Sequence, residues 1–207
     1  MSQNQMKPAM TAATASPRYD RTAAAILDAA ARVLADRGAS ANMAEVAAAS
    51  GVSRATLYRY YPSREALLEA LAAQALADAG SRIADAGLDR CPVPEALERI
   101  VRALLAVGDR YAVLLSEQVN PDPAEAERVV GAPLRAVFAR GIDHGVLRDD
   151  VPSEVLFELF GGLLIAAIKL VGERRLGLEE AAATTTALFL NGARLPQRSG
   201  AGTDGQS

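Results

Sequence analysis

The chain has 207 residues, half of them hydrophobic and 23% charged, with a formal net charge of -3, so its composition excludes a wholly disordered protein. One cysteine, Cys91, and one histidine exclude a disulfide framework and a cysteine-rich zinc site. Tryptophan is absent and aromatic residues make up only 4%, whereas alanine is abundant, which favours helices over strands. We therefore expect an all-α protein.

The two ends of the chain differ in composition from the rest. Residues 1–17 and 196–207 are rich in small and polar residues without periodicity, so we expect a disordered arm and a disordered tail. The arm lacks the apolar run of a secretory signal, and no stretch of 18 residues is apolar and uncharged throughout. We expect a cytoplasmic protein that does not enter a membrane.

The first predicted helix runs from about Asp20 to Arg37 and is amphipathic, because its apolar residues recur at steps of three and four. Gly38 suits the position after a helix end. Between Arg18 and Arg64, seven arginines accompany four acidic residues, a net +3, so the rest of the chain sums to -6. A basic module on an acidic chain is typical of a protein that binds a polyanion with one part.

Two short helices and a longer one follow. Asn42 and Glu45 predict a capping box at the start of the second helix. After a Gly-Val turn, Ser53 suits the N-cap of a third helix that ends before Pro62. Two short helices joined by a tight turn behind a supporting helix form a helix-turn-helix, here from Asn42 to Tyr61.

The third helix presents residue types that read DNA. With Leu57 turned inward, Ala55 and Arg59 lie on the opposite face, where a small side chain permits close approach and a guanidinium reads guanine. In an ordinary three-helix cluster, the alternative, Tyr58 and Tyr60 would have no core-packing reason to lie on an exposed helix. The predicted DNA-binding residues are Ala55 and Arg59 for bases, Arg54 for a base or a phosphate, Tyr58, Tyr60 and Arg64 for phosphates, and Asn42, Ser53 and Thr56 beside them.

The segment ANMAEVAAASGVSRATLYRYYPSREALLEAL, residues 41–71, resembles the DNA-binding region of TetR-type transcriptional regulators. The Gly-Val-Ser turn, the Thr-Leu-Tyr run at 56–58, the tyrosine pair at 60–61 and Ser-Arg-Glu at 63–65 fall in the register of that family. With the first helix included, the resemblance covers about residues 18–78. It implies a dimeric repressor whose all-helical C-terminal domain binds a small-molecule inducer.

The rest of the chain is expected to form a second helical domain. We place the DNA-binding domain at 18–78 and the ligand-binding and dimerisation domain at 79–195. The five helices of the second domain are expected at about 94–107, 109–118, 124–143, 153–171 and 178–194, which makes about nine helices in the chain.

One helix of the second domain is apolar on every side. Residues 159–168 carry no polar side chain, which requires burial all round, yet the run is too short for a bilayer. We expect one face on the domain core and the other on a second subunit, with the last helix beside it; a fully internal helix in a monomer is the alternative. The predicted dimerisation residues are Leu159, Leu163, Ala167, Ala181, Thr185 and Leu188.

An apolar cavity between the helices of this domain is expected to bind the effector; the alternative is that its large side chains form ordinary core. Polar contacts are expected from Arg102, Asp109, Gln118 or His144, although a histidine also suits a helix C-terminus. The predicted ligand-binding residues are Leu104, Tyr111, Leu115, Phe138, Phe157 and Leu164.

These features predict a sequence-specific DNA-binding transcriptional regulator, a repressor that a small-molecule ligand releases from its operator. Its expected partners are a palindromic double-stranded DNA, a second copy of the chain and an unidentified effector. We predict no catalytic residue, metal ligand or cofactor, because no hydrolase, zinc-protease, Cys-x-x-Cys or phosphate-loop motif is present. A helical hydrolase built on carboxylates and a protein-docking module are the competing classes.

Overall fold

The computed structural model describes residues 17–108, 110, 119 and 121–193, and every regular element within them is helical, which confirms the all-α prediction. Apart from Arg110, the predicted helix at 109–118 lies outside the described residues, as do the tail and all of the arm except Pro17. The described part contains eight helices: α1 (Pro17–Arg37), α2 (Met43–Ser50), α3 (Arg54–Tyr60), α4 (Arg64–Asp85), α5 (Val93–Leu105), α6 (Pro123–Ala126, Glu127–Gly131 and Ala132–Asp143), α7 (Ser153–Gly172) and α8 (Leu178–Ala193).

A first core lies among α1, α2, α3 and the first half of α4, and we call this unit the head. Ile26, Leu57 and Leu71 are fully buried in it. Gly51 ends α2 with a left-handed backbone, φ +71°, a conformation that glycine adopts without steric cost. The sharp turn that results sets α3 against the outside of the head, with Leu57 pointing in.

Side-chain caps fix the helix starts of the head. In the predicted capping box, Asn42 Oδ1 accepts from the Glu45 N–H at 3.2 Å, and Glu45 Oε2 accepts from the Asn42 N–H at 3.1 Å. Ser53 Oγ accepts from a backbone N–H of α3 at 3.1 Å, and Ser63 Oγ does the same for α4 at 3.1 Å. The capping residues predicted for α2 and α3 are therefore confirmed.

A second core lies among the second half of α4 and α5 to α8. At its centre, Phe138, Phe160 and Phe189 pack with ring centroids 4.9 to 5.6 Å apart. Helix α4 passes through both cores, since Ala75 packs in the first and Ala79 in the second. The predicted domain boundary at 78–79 thus falls inside a continuous helix, so the two cores are joined by a rigid element.

Helix α6 contains a π-helical turn, Glu127–Gly131, where the sequence suggested an uninterrupted helix. Pro133 follows the turn, and because proline has no N–H it cannot donate the backbone hydrogen bond of a regular helix. A wider turn before it accommodates that loss. The same turn approaches α4, where a Cβ added to Gly80 would lie 2.8 Å from Val129 Cβ; only glycine fits this close crossing.

Helix α7 is buried on one face only. Phe160, Ala167 and Ile168 face the second core, whereas Leu159 is 60% and Ile165 47% exposed. Among the described helices, α7 is the one that is long and apolar enough to cross a membrane, judged by length and composition alone. Charged Glu158 and Lys169 stand among its exposed residues. The sequence of α7 predicts burial on every side, but within a single chain only one side of the helix is buried.

Candidate nucleic-acid interface

The orientation of α3 matches the prediction for a recognition helix. Leu57 is fully buried, and Arg54, Ala55 and Arg59 are exposed on the outer side. Tyr58 belongs to the same surface and is 47% exposed. The outer face of α3 therefore presents a methyl group, a phenol and two guanidinium groups to solvent, which suits contacts to base edges and phosphates.

The two hydroxyl residues at the start of α3 are already engaged with each other. The hydroxyl groups of Ser53 and Thr56 lie 2.9 Å apart, and Ser53 Oγ also accepts from the Thr56 N–H. Ser53 is exposed and Thr56 is half-buried. Both stand beside the exposed face as predicted, and they hold the first turn of α3 in place.

A surface cavity of 570 Å³ lies beside α3, lined by Asn42, Arg54, Tyr58 and Arg64. Helices α2 and α4 both begin next to it, and backbone N–H groups at helix N-termini favour anions. Four predicted DNA-binding residues, from α3, the start of α4 and the N-cap of α2, thus surround one concavity with the chemistry of a phosphate site.

Arg64 lines this cavity and also forms a hydrogen bond within the protein. Its Nη1 donates to the carbonyl oxygen of Ala41, the residue before the α2 capping box. The side chain is half-buried. Arg64 therefore links the start of α4 to the start of α2, a positioning contact that the sequence did not indicate.

The prediction that Tyr60 has no core-packing reason was wrong. Tyr60 is half-buried and packs against the first core. Its ring centroid lies 6.5 Å from that of Tyr61 and 5.5 Å from the Arg59 guanidinium carbon. The Tyr61 hydroxyl donates to the Ala23 carbonyl at 3.3 Å, so the residue that follows α3 links this end of the helix to α1.

The second core contains a cavity of 410 Å³ between α4, α5, α6 and α7. Three predicted ligand-binding residues, Leu104, Phe157 and Leu164, line it. Phe138 does not line this cavity; it is 2% exposed and packs in the aromatic cluster, so the prediction for this residue is corrected to core. The predicted residues Tyr111 and Leu115 lie outside the described residues.

Two of the polar residues predicted for this cavity, Arg102 and His144, lie elsewhere in the structure. The other two, Asp109 and Gln118, lie outside the described residues. Arg102 donates to Glu98 at 2.7 Å and to Glu179 at 2.9 Å, and its hydrogen bond to Glu179 raises the pKa of Arg102 above its ordinary value. His144 is exposed after the end of α6. Among the described residues, the polar side chain that does line this cavity is that of Glu127, which the sequence did not single out. The sequence signal that could have indicated it is Gly131 and Pro133, which accompany the π-helical turn.

The predicted dimerisation residues divide between the two sides of their helices. Leu159 and Leu188 are 60% and 61% exposed. The other predicted positions face inward: Leu163 is half-buried against the second core, and Ala167, Ala181 and Thr185 are buried inside the chain. These three are corrected to core residues, because α5 packs against both α7 and α8, α6 packs against α7, and α7 and α8 pack against each other.

Comparison with known proteins agrees with this geometry. Residues 26–71 match the family described as "Bacterial regulatory proteins, tetR family". The HTH-type transcriptional regulator NfxB of Pseudomonas aeruginosa is 32% identical over 171 residues, which are 77% of this chain and 88% of NfxB. The HTH-type transcriptional repressor LfrR of Mycolicibacterium smegmatis is 45% identical over 89 residues, 43% of this chain, and that match spans about half of LfrR, 47%.

Solved structures extend the likeness over both cores. The TetR-like regulator LfrR from Mycobacterium smegmatis, crystallised in complex with proflavine, superposes with a TM-score of 0.69 at 29% identity and covers 85% of this chain and 99% of LfrR. The regulator PfmR from Thermus thermophilus shares the fold, with a TM-score of 0.65 at 24% identity over 83% of this chain and 99% of PfmR. The chain belongs to the TetR family of transcriptional regulators, which are DNA-binding proteins and not enzymes.

Proposed function

We propose that this regulator is a repressor that binds a palindromic operator as a dimer and leaves it when a small molecule occupies the second core. The observation that carries the proposal is α3, in which Leu57 is buried while Ala55, Tyr58 and Arg59 face solvent. A short helix held in this way fits a major groove with its outer side chains on the base edges. The name of LfrR, a transcriptional repressor, supports repression rather than activation.

The head would contact DNA in two ways. Ala55 and Arg59 meet bases, where each good contact contributes about 1–3 kcal/mol. Asn42, Tyr58 and Arg64 border the concavity beside the N-termini of α2 and α4, and this concavity accepts a backbone phosphate. So few base contacts give one head limited discrimination, which favours two heads on two half-sites of a palindrome.

The exposed face of α7 and α8 supports a dimer. Five large hydrophobic residues of the described part of the chain are notably exposed, and four of them are on these helices: Val155, Leu159, Ile165 and Leu188. Contiguous exposed apolar residues mark interaction sites. Gly162 and Ala187 are exposed among them, and their small size permits close approach of a partner helix. Leu159 and Leu188 would lie near the centre of the dimer interface.

The cavity in the second core supports a small-molecule effector. Its volume of 410 Å³ falls within the roughly 300–1,000 Å³ of ordinary ligand pockets. The related LfrR was solved with the planar aromatic molecule proflavine, which is a suitable first probe here. Release requires that the effector bind one spacing of the two heads better than the other. As a regulator of operator DNA, the protein is proposed to act in the cytoplasm.

A gel-shift experiment tests the proposal. Fragments from the region upstream of the protein's own gene are titrated with the full chain at two salt concentrations, in the presence of random competitor DNA. A saturable, sequence-dependent shift that weakens with salt is expected, and proflavine is expected to reverse it. A protein-docking module would give no sequence-dependent shift at either salt concentration, and a shift that proflavine leaves unchanged would contradict the effector role.

A further inference from the structure

The effector cavity has an uneven chemical character. Among its described lining residues only Glu127 carries a polar side chain, and the others are apolar, proline or glycine. The Glu127 side chain is 50% exposed, as expected at the mouth of a cavity. A Cβ at Gly131 would overlap the Glu127 carboxylate, so the glycine leaves room for the side chain to fold back along the π-helical turn. The cavity therefore combines an apolar wall with one carboxylate.

Arg135 holds this carboxylate in the free protein. Its Nε donates to Glu127 Oε1 at 3.2 Å. Its guanidinium carbon lies 4.1 Å from the centroid of the Phe157 ring, and Phe157 lines the cavity together with Glu127. A cation between a carboxylate and an aromatic face is the arrangement by which proteins bind organic cations. Here an arginine of the same chain occupies that position.

We propose that the effector is a planar organic cation, and that its charge replaces the Arg135 guanidinium between Glu127 and Phe157. The inference rests on the proposed function in taking this cavity as the effector site. Arg135 is then an internal competitor, since it satisfies the carboxylate and the ring while no effector is bound.

The surrounding charges favour a cation over an anion. Arg135, Asp143 and Glu154 line a second, smaller cavity that shares Phe157 with the effector cavity. Together with Glu127, three carboxylates therefore accompany one guanidinium in this part of the molecule, and their field attracts positive charge. An anionic ligand could pair with one arginine, but the net negative charge of the surrounding surface would repel it.

If Arg135 competes with the effector, removal of this charged side chain should strengthen the binding of a cationic ligand. The incoming cation must break the contacts of Arg135, which are worth at most about a fivefold change in affinity each for a partly exposed ion pair and a cation–π contact. The Arg135→Gln variant is therefore expected to bind a cationic ligand about two- to fivefold more tightly than the wild type. The Glu127→Gln variant is expected to bind it up to about fivefold more weakly.

The experiment is a fluorescence titration of the full chain without DNA at pH 8. The probes are proflavine, a planar cation at this pH, and acridine, which has the same three-ring frame and is neutral there. The control variants are Arg128→Gln and Glu125→Gln, because these residues form an ion pair at 2.8 Å on the same helix but line a different groove. Both controls are expected to bind proflavine as the wild type does, although they change the net charge equally.

A third variant separates the position of the carboxylate from its charge. Gly131→Ala keeps Glu127 but fills the space into which its carboxylate folds, so it is expected to weaken proflavine binding in the same direction as Glu127→Gln. Acridine binding is expected to be unaffected by Arg135→Gln and by Glu127→Gln.

Three results would overturn the inference. Weaker or unchanged proflavine binding by Arg135→Gln would show that Arg135 is not a competitor. An equal response of acridine would show that charge is not recognised, and absence of proflavine binding by both the wild type and Arg135→Gln would remove the subsite. Because the titration contains no DNA, its failure is distinct from a failure of operator release, which the gel shift measures.

Discussion

Arg110 Nη2 lies 2.6 Å from Asp28 Oδ1 on α1, and Arg110 Nη1 pairs with Asp78 on α4. Arg110 comes five residues after the end of α5, and Val107, three residues before it, lines the effector cavity. Val119, further along the same connection, packs against the first core. The segment that follows α5 therefore touches the cavity at one point and the head at two others.

This contact predicts that Arg110→Ala weakens communication between effector and DNA. An effector acts on the head only through contacts that differ between two states, and such couplings amount to about 5- to 150-fold in affinity. We expect the ratio of operator Kd values with and without proflavine to fall at least about threefold, measured by fluorescence anisotropy. Arg102→Ala is the control, because Arg102 forms a similar double ion pair within the second core. An undiminished ratio in Arg110→Ala would contradict the coupling.

Arg59 and Arg64 are expected to affect DNA binding in different ways. Arg59 is exposed on α3, so Arg59→Ala should cost about 1–3 kcal/mol and relax specificity at one operator position. Arg64→Ala should weaken binding to every sequence and reduce the slope of log K against log salt by about 0.9. Anisotropy titrations on the operator and its single-base variants at several salt concentrations measure both effects.

The control for both arginines is Arg90→Ala, whose side chain is 87% exposed in the turn after α4. It removes the same charge away from the head and should leave both the specificity and the salt slope unchanged. Equal loss of specificity in Arg59→Ala and Arg64→Ala would contradict the assigned roles. A weaker Arg64→Ala complex with an unchanged salt slope would show that the contact with Ala41, and not a phosphate, is its contribution.

The parts of the head that the sequence predicted are those governed by near neighbours. A capping box needs only Asn42 and Glu45, three residues apart, and the inward position of Leu57 follows from helical period alone. The Gly51 turn likewise depends on a single residue that accepts a left-handed backbone. These features depend on residues close together in the sequence, so they could be predicted without knowledge of the rest of the molecule.

The errors came from contacts between residues far apart in the chain. Helical period places Ala167 and Ala181 on an apolar face, but it does not say whether a partner subunit or a helix of the same chain covers them. Phe138 was assigned to a cavity for the same reason, and its neighbours Phe160 and Phe189 make it core. Packing density decides such cases, and it depends on the whole set of side chains.

Asn42 combines two roles that substitutions should separate. Its Oδ1 accepts from the N–H groups of Ala44 and Glu45, so Asn42→Ala should lower the free energy of unfolding by about 1 kcal/mol, whereas Asn42→Ser keeps an acceptor and should stay close to wild type. If the amide also contacts DNA, both variants weaken operator binding. Urea unfolding and anisotropy measure the two effects, and an equal stability loss in Asn42→Ser would disprove the capping role.

Leu159 on α7 and Leu188 on α8 are 60% and 61% exposed, and Leu159→Glu or Leu188→Glu is expected to convert a dimer into a monomer. A carboxylate at the centre of an apolar interface loses its hydration without gaining a partner, which costs several kcal/mol. Sedimentation at micromolar concentration should give 21.6 kDa for each variant and twice that mass for the wild type. Tyr58→Glu is the matched control, because Tyr58 is also a large, 47% exposed residue but lies on α3. It should remain dimeric while losing operator binding. A wild-type chain that sediments as a monomer under these conditions would refute the interface, since the exposed leucines would then have no partner to bury them.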